Sequence, residues 1–272
     1  MIPVKEVSSA ASKAQVKDVQ VEKDYVISWM LYGIANNPFL KENLIFKGGT
    51  AMKKAYFPNY RFPDELEFTW KEDFEVNTSK IAFSELIKFV LERSGITLSL
   101  RGDIREDADH YNFGLAYKGP LPGSGSGKEI RVEIGKKELV YNAPEEKAIL
   151  VPYSDLVNEN FSLSCYSLDE IAAEKLRLLM QRTAPRDLYD AWYIYEMSGN
   201  AIEDCIFAFE EKARFKNLDP KKLVNEIMPK EATFAKYWKE HLEHQMAVLP
   251  EFKKVWREMK KNWRRFQKFT EK

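Results

Sequence analysis

Thiol and imidazole are scarce: 272 residues carry two cysteines and three histidines. Cys165 and Cys205 make neither a disulfide framework nor a metal-spaced cluster, and so few histidines leave little for zinc, so a reducing, cytoplasmic setting fits. Net charge is also missing, because 42 basic and 42 acidic residues cancel. No global field draws the chain to nucleic acid or membrane, and any such role must come from local asymmetry. No window approaches eighteen apolar residues, and MIPVKEVSSAASKAQVKDVQ lacks the unbroken apolar core of a signal peptide, so a soluble protein without a membrane partner is expected. Residues 1–18 read as a loosely packed lead-in. A Walker A loop is absent too. In GPLPGSGSGK (119–128), Pro122 stands where the first glycine is needed and Glu129 where Ser or Thr is needed, leaving a flexible hairpin loop.

What is present centres on IFKGGTAMKKAYFPNYRFPDELEFTW, residues 45–70. A short apolar run enters Gly48-Gly49-Thr50, and a helix-compatible stretch follows at once. Adjacent glycines let the backbone approach an anion, and the first N–H groups of a helix point toward phosphate oxygens. Glu65 and Glu67 then alternate with Leu66 and Phe68, so a strand here places both carboxylates on one face. Two carboxylates beside a phosphate-binding turn suit a magnesium–nucleotide complex, because Mg²⁺ takes hard oxygen ligands and shares them with substrate phosphates. Read separately, the turn and the solvated Glu-x-Glu face are ordinary; their joint spacing carries the argument.

Around that stretch, Val21, Tyr25, Trp29 and Tyr32 mark a helix with a buried stripe and a solvated first turn, Glu22-Lys23-Asp24. Residues 79–93 predict an amphipathic helix burying Ile81, Leu86, Phe89 and Val90. Alternation predicts strands over 96–100, 111–117 and 129–135, the last presenting Glu133 as a third carboxylate or an exposed strand residue. From Ser167, an N-cap with Glu170 three positions on, the pattern turns helical, and Pro185 opens a second helix. At the end of the chain, Phe252, Trp256, Met259, Trp263 and Phe266 form an apolar stripe among lysines and arginines, a basic amphipathic helix suited to RNA. The expected fold class is α+β, with a mixed-sheet domain over 1–152 and a helical domain over 153–272.

FKGGTAMKKAY, RFPDELEFTW, IRVEIG and SLDEIAAEKLRLLMQRTAPRDLYDAWYI, in that order, resemble the AbiEii/AbiGii-type nucleotidyltransferase toxins of the DNA polymerase β-like superfamily. The likeness runs from about Glu22, where EKDYVISWML is similar to the family's first helix, to Tyr195. It implies a nucleotidyltransferase-like mixed sheet and a helical half. It also implies Mg²⁺-dependent transfer of a nucleoside monophosphate from an NTP to an RNA acceptor, with tRNA expected, and a cognate antitoxin as partner. Carried onto this chain, Gly48, Gly49 and Thr50 become phosphate contacts, and Glu65, Glu67 and Glu133 become metal ligands and catalytic groups. Lys175 and Asp187 join them from the helical half, expected to engage nucleotide rather than to carry stability. The sequence departs from the family at one place: the usual Ser-x-Asp-x-Asp is Pro63-Asp64-Glu65-Leu66-Glu67. An extra methylene on both ligands moves the oxygens, which leaves a nucleotide- or RNA-binding scaffold as the alternative to an active enzyme.

Overall fold

The computed structural model describes residues 1–71, 76–107, 109–123 and 128–270. The chain divides into two compact units, Met1–Glu138 with Glu145–Cys165, and Leu139–Pro144 with Tyr166–Lys272.

The first unit is built on a mixed sheet. Its strands are β1 (Leu44–Lys47), β2 (Glu65–Trp70), β3 (Thr97–Glu106), β4 (His110–Lys118), β5 (Glu129–Gly135), β6 (Glu145–Ala148) and β7 (Ser162–Cys165), in the order β3-β4-β5-β2-β1-β7-β6. β2 runs parallel to β5 and β1 parallel to β7, while the other pairs are antiparallel. Alternation sets the faces: Leu66 and Phe68 of β2, Tyr111, Phe113, Leu115 and Tyr117 of β4, and Ile130, Val132 and Ile134 of β5 are all buried. Four-residue β6 and β7 carry too little alternation to be read from sequence. Residues 124–127, the centre of the expected hairpin loop, lie outside the described residues, and β4 and β5 pair as the antiparallel arms on either side.

Three expectations need correction. The lead-in forms helix α1 (Val4–Ala14), because Ile2, Val7 and Ala11 pack into the core. Glu22-Lys23-Asp24, expected as a solvated first turn, lies one turn inside helix α2 (Asp18–Asn36) and is not solvated. Glu22 is buried with Lys128 at 3.0 Å, and Asp24 is buried with Lys54 at 2.6 Å, so ion pairing offsets the cost of burial. Ile81 is 62% exposed, because helix α5 (Val76–Ser94) turns Ala82, Phe83, Leu86 and Val90 inward instead. Helix α3 (Pro38–Asn43) then leads into β1, capped by the Asn37 side chain, which accepts from Leu40 N–H.

The second unit is helical: α6 (Leu168–Gln181), α7 (Pro185–Trp192), α8 (Ile206–Phe215), α9 (Leu223–Ile227), α10 (Glu231–Leu242) and α11 (Phe252–Thr270), with the short helix Gly48–Ala51 of the first unit counting as α4. Ser167 caps α6, accepting from Glu170 N–H at 3.1 Å, but Glu170 does not complete a capping box. Its buried carboxylate accepts from the backbone N–H groups of Tyr141 and Asn142 and pairs with Lys212 at 2.7 Å. Helix α11 buries Trp256, Met259, Trp263 and Phe266 as its period demands, and Asn262 ties it to Glu196 at 2.7 Å. Among the described residues no helix is long and apolar enough to cross a membrane.

Candidate active site

Strand β1 ends at Lys47, and α4 begins on the next residue, continuing as a π-helical turn over Met52–Tyr56. Gly48 makes this corner with φ of +74°, a conformation side chains resist. Space imposes the same choice, because a Cβ on Gly48 would stand 1.8 Å from Glu67 Oε2. Gly49 N–H donates to that oxygen at 3.3 Å. Thr50 Oγ1 donates to the carbonyl of Glu65, which ties the turn to β2. A carboxylate therefore sits where the helix-start amide would meet a phosphate.

Register places the remaining carboxylates. Glu67 is the cross-strand partner of Lys47 on β1 and of Glu133 on β5, and Glu133 is opposite Asn112 on β4. Because side chains alternate, Glu65 shares that face two positions along. Glu65, Glu67 and Glu133 are all half-buried, unlike the apolar residues between them.

A fourth carboxylate, Glu138, escaped the sequence reading. It follows β5 and folds back over Gly135, where a Cβ would lie 2.6 Å from its carboxyl carbon. Lys47 and Thr69 donate to it, and His110 Nε2 lies 3.7 Å from it and 3.6 Å from Glu133. Burial would raise the Glu138 carboxyl, but the Lys47 charge, the hydrogen bonds of Lys47 and Thr69 and the nearby His110 hold it well below the usual range. The Glu138 and Glu133 carboxylates beside it lift the His110 imidazole above its ordinary value, against the effect of burial. A glycine at a strand end three residues before an acid was the available signal, and it is a faint one.

In the second unit, Lys175 of α6 lies 2.9 Å from Asp187 and 3.0 Å from Asp190 on α7, all three buried. Arg182 closes on Asp187 through Nε at 2.7 Å and a second nitrogen at 3.2 Å. Burial works to raise the Asp187 carboxyl, and Lys175 and Arg182 overcome it and hold it far below the ordinary value. Proline at the start of α7 reverses the chain so that both helices reach one point. Removing Lys175 would leave two carboxylates buried without their ammonium, so the geometry gives it a bearing on stability beside the expected engagement of nucleotide.

A family model described as nucleotidyl transferase AbiEii toxin, type IV toxin–antitoxin system, matches residues 29–269. The chain belongs to this family. Two solved structures share its fold. MenT4, a nucleotidyltransferase toxin from Mycobacterium tuberculosis, superposes with a TM-score of 0.56 at 18% identity, covering 80% of this chain and 74% of that one. A proposed nucleotidyltransferase from Helicobacter pylori gives 0.55 at 15% identity, covering 90% and 93%. No curated protein sequence matches. AbiEii membership makes the chain a nucleotidyltransferase of a toxin–antitoxin system, with the mixed sheet and helical C-terminal half expected of it.

Three carboxylates on one face of adjacent strands are the donor chemistry Mg²⁺ takes. Among the described residues, however, no three acidic, His or Cys groups are already gathered to hold an ion, and Glu67 is turned to the glycine corner. The backbone register fits the metal; the Glu67 side chain would have to swing off the turn.

Proposed function

We propose that this AbiEii member transfers a nucleoside monophosphate from an NTP to an RNA acceptor, with tRNA the expected acceptor and Mg²⁺ the metal, and that a cognate antitoxin restrains it. The observation that carries this reading is the row Lys47, Glu67, Glu133, in which two carboxylates stand in register and Glu67 closes on the glycine corner that follows Lys47. Gly48, Gly49 and Thr50 would receive the triphosphate, Glu65, Glu67 and Glu133 the metal, and Lys175 and Asp187 would act from the helical unit. The metal supplies charge neutralisation for the attacking and leaving oxygens of an in-line displacement. Glu133 takes the proton of the incoming hydroxyl as its oxygen bonds to the α-phosphorus and pyrophosphate departs. His110, 3.6 Å from Glu133 and 3.7 Å from Glu138, flanks the Glu133 carboxylate. Lys47 balances the buried charge of Glu138 beside it.

The RNA acceptor is favoured by α11, whose apolar side is buried while Lys253, Lys254, Arg257, Lys261, Arg264 and Arg265 lie on the exposed side. Such a stripe tracks a phosphate backbone and makes affinity depend on salt. Charge reversal at Lys261, Arg264 and Arg265 should weaken RNA binding and flatten its salt dependence; unchanged affinity and slope would remove the helix from the interface. The reaction itself is tested by incubating the chain with Mg²⁺, total tRNA and each labelled NTP in turn. Label should enter RNA from at least one nucleotide, and no label from any of the four would contradict transfer to RNA.

A second reading has its own observation. Glu67, one methylene longer than the family's aspartate, occupies the Gly49 amide that a phosphate would use. A chain whose glutamates compete with substrate in this way would bind nucleotide without turning it over.

A further inference from the structure

A cavity of about 550 Å³ opens in the first unit between α1, α2, the π-helical turn and residues 150–153. None of the residues placed in the nucleotide site is among those lining it. Its walls are apolar, formed by Ala10, Ala14, Val21, Pro58, Phe62 and Val151. Its charged lining is Lys53, Lys54 and Asp24, with the Tyr153 hydroxyl beside them and the exposed Lys13 at the rim.

The charges do not balance. Lys54 donates to Asp24 at 2.6 Å and to Ser28 Oγ at 2.9 Å, and Tyr153 donates to the same Asp24 oxygen at 2.6 Å. That answers the single carboxylate. Lys53 is only 7% exposed, yet it meets the carbonyls of Tyr60 at 3.1 Å and Pro58 at 3.4 Å and the Phe62 ring at 3.9 Å, and makes no ion pair among the described residues. Two buried ammonium groups thus face one buried carboxylate. An unpaired buried charge is costly, and burial pushes the Lys53 ammonium down to about 8 despite the help of Asp24. Carbonyl dipoles and a ring face soften that cost without removing it.

One excess positive charge at the end of an apolar cavity of ligand size is complementary to an apolar body bearing one negative charge. A phosphate dianion would bring a second negative charge into an apolar wall. We propose that this cavity binds a small organic monocarboxylate, its carboxylate paired with Lys53 and its apolar body against Ala14, Val21 and Phe62. Lys53 stands on the π-helical turn that continues α4, and the cavity lining shares no residue with the nucleotide site, so the ligand is proposed as an effector.

The full chain would be titrated calorimetrically with benzoate, indole-3-acetate and decanoate, and with their primary amides. At least one acid should bind saturably, at least about tenfold more tightly than its amide. Lys53→Met should lose that binding by about tenfold or more while the melting temperature holds or rises, since an unpaired buried charge is replaced by a thioether of similar length. Ala14→Phe should lose it as well by filling the cavity with the ammonium in place. If Lys53→Met fails to fold, Ala14→Phe decides. The proposal is overturned if no acid saturates up to about 10 mM, if the amides bind as well as the acids, or if Ala14→Phe binds as the wild type does.

Discussion

The two sets of charged residues assigned to nucleotide transfer are built in opposite ways. On the sheet, Glu65, Glu67 and Glu133 are half-buried and held by strand register, with side chains that solvent and ligand can reach. In the helical unit, Lys175 is buried with Asp187 and Asp190 at about the distance of hydrogen bonds, and Arg182 on Asp187 supplies the second positive charge that balances the two carboxylates. Register costs nothing when a side chain changes, whereas a buried ion cluster fails when one member leaves. The sheet face is therefore suited to exchanging partners, and the helical cluster to fixing the geometry of α6 against α7.

The sharpest way to break that contrast is Lys175→Ala. Leaving Asp187 and Asp190 buried without the ammonium should cost about 3–5 kcal/mol, read as a shift in urea midpoint. An unchanged midpoint would place Lys175 with the ligand-facing residues instead. Acid sharpens the same point. The Asp187 carboxyl is depressed below its ordinary 3.8, so its contribution is present above that pH and is lost as pH falls through the lower folded-state value.

Lys53 provides a contrast of opposite sign. Its folded-state value of about 8 lies below the ordinary 10.5, so between these the unfolded chain holds more protons and stability rises with pH. The difference between wild type and Lys53→Met should move by roughly 3 kcal/mol in favour of the wild type from pH 8 to 10.5. A difference that is flat with pH would mean that the ammonium is well solvated.

Much of this was legible in the sequence because it depends on short periods. Two-residue alternation placed Glu65 and Glu67 on one face and marked β4 and β5, and the helical period marked α2, α6 and the buried stripe of α11. What stayed hidden depends on residues far apart in the chain. The pairing of Glu22 with Lys128 and of Asp24 with Lys54 buries a turn that composition assigns to solvent. Glu138 enters the site from beyond the end of β5, and the packing of α1 and its lead-in rests on Ile2, Val7 and Ala11, scattered in a polar segment. Lys175 and Asp187 were legible as residues and illegible as a buried pair, since only the fold shows that no water separates them.

A smaller effect separates the two readings of the glutamates. Glu65→Asp with Glu67→Asp withdraws the carboxylate from Gly49 N–H and frees that amide for phosphate. With Glu65 and Glu67 as the working metal ligands, the shorter side chains fall short of the ion and transfer should drop by about tenfold, or roughly 1.4 kcal/mol of barrier. A rise of that size would favour the second reading, in which the glutamates compete with substrate.

The central claim is that the glycine corner and the sheet carboxylates together hold a magnesium–nucleotide complex. Its most direct test is calorimetric titration of a non-hydrolysable triphosphate with and without Mg²⁺, for the wild type and Glu133→Gln. The account predicts saturable binding that requires Mg²⁺ and weakens at least about tenfold in the variant. Binding that is indifferent to both the metal and Glu133, or absent for all four bases, would contradict it.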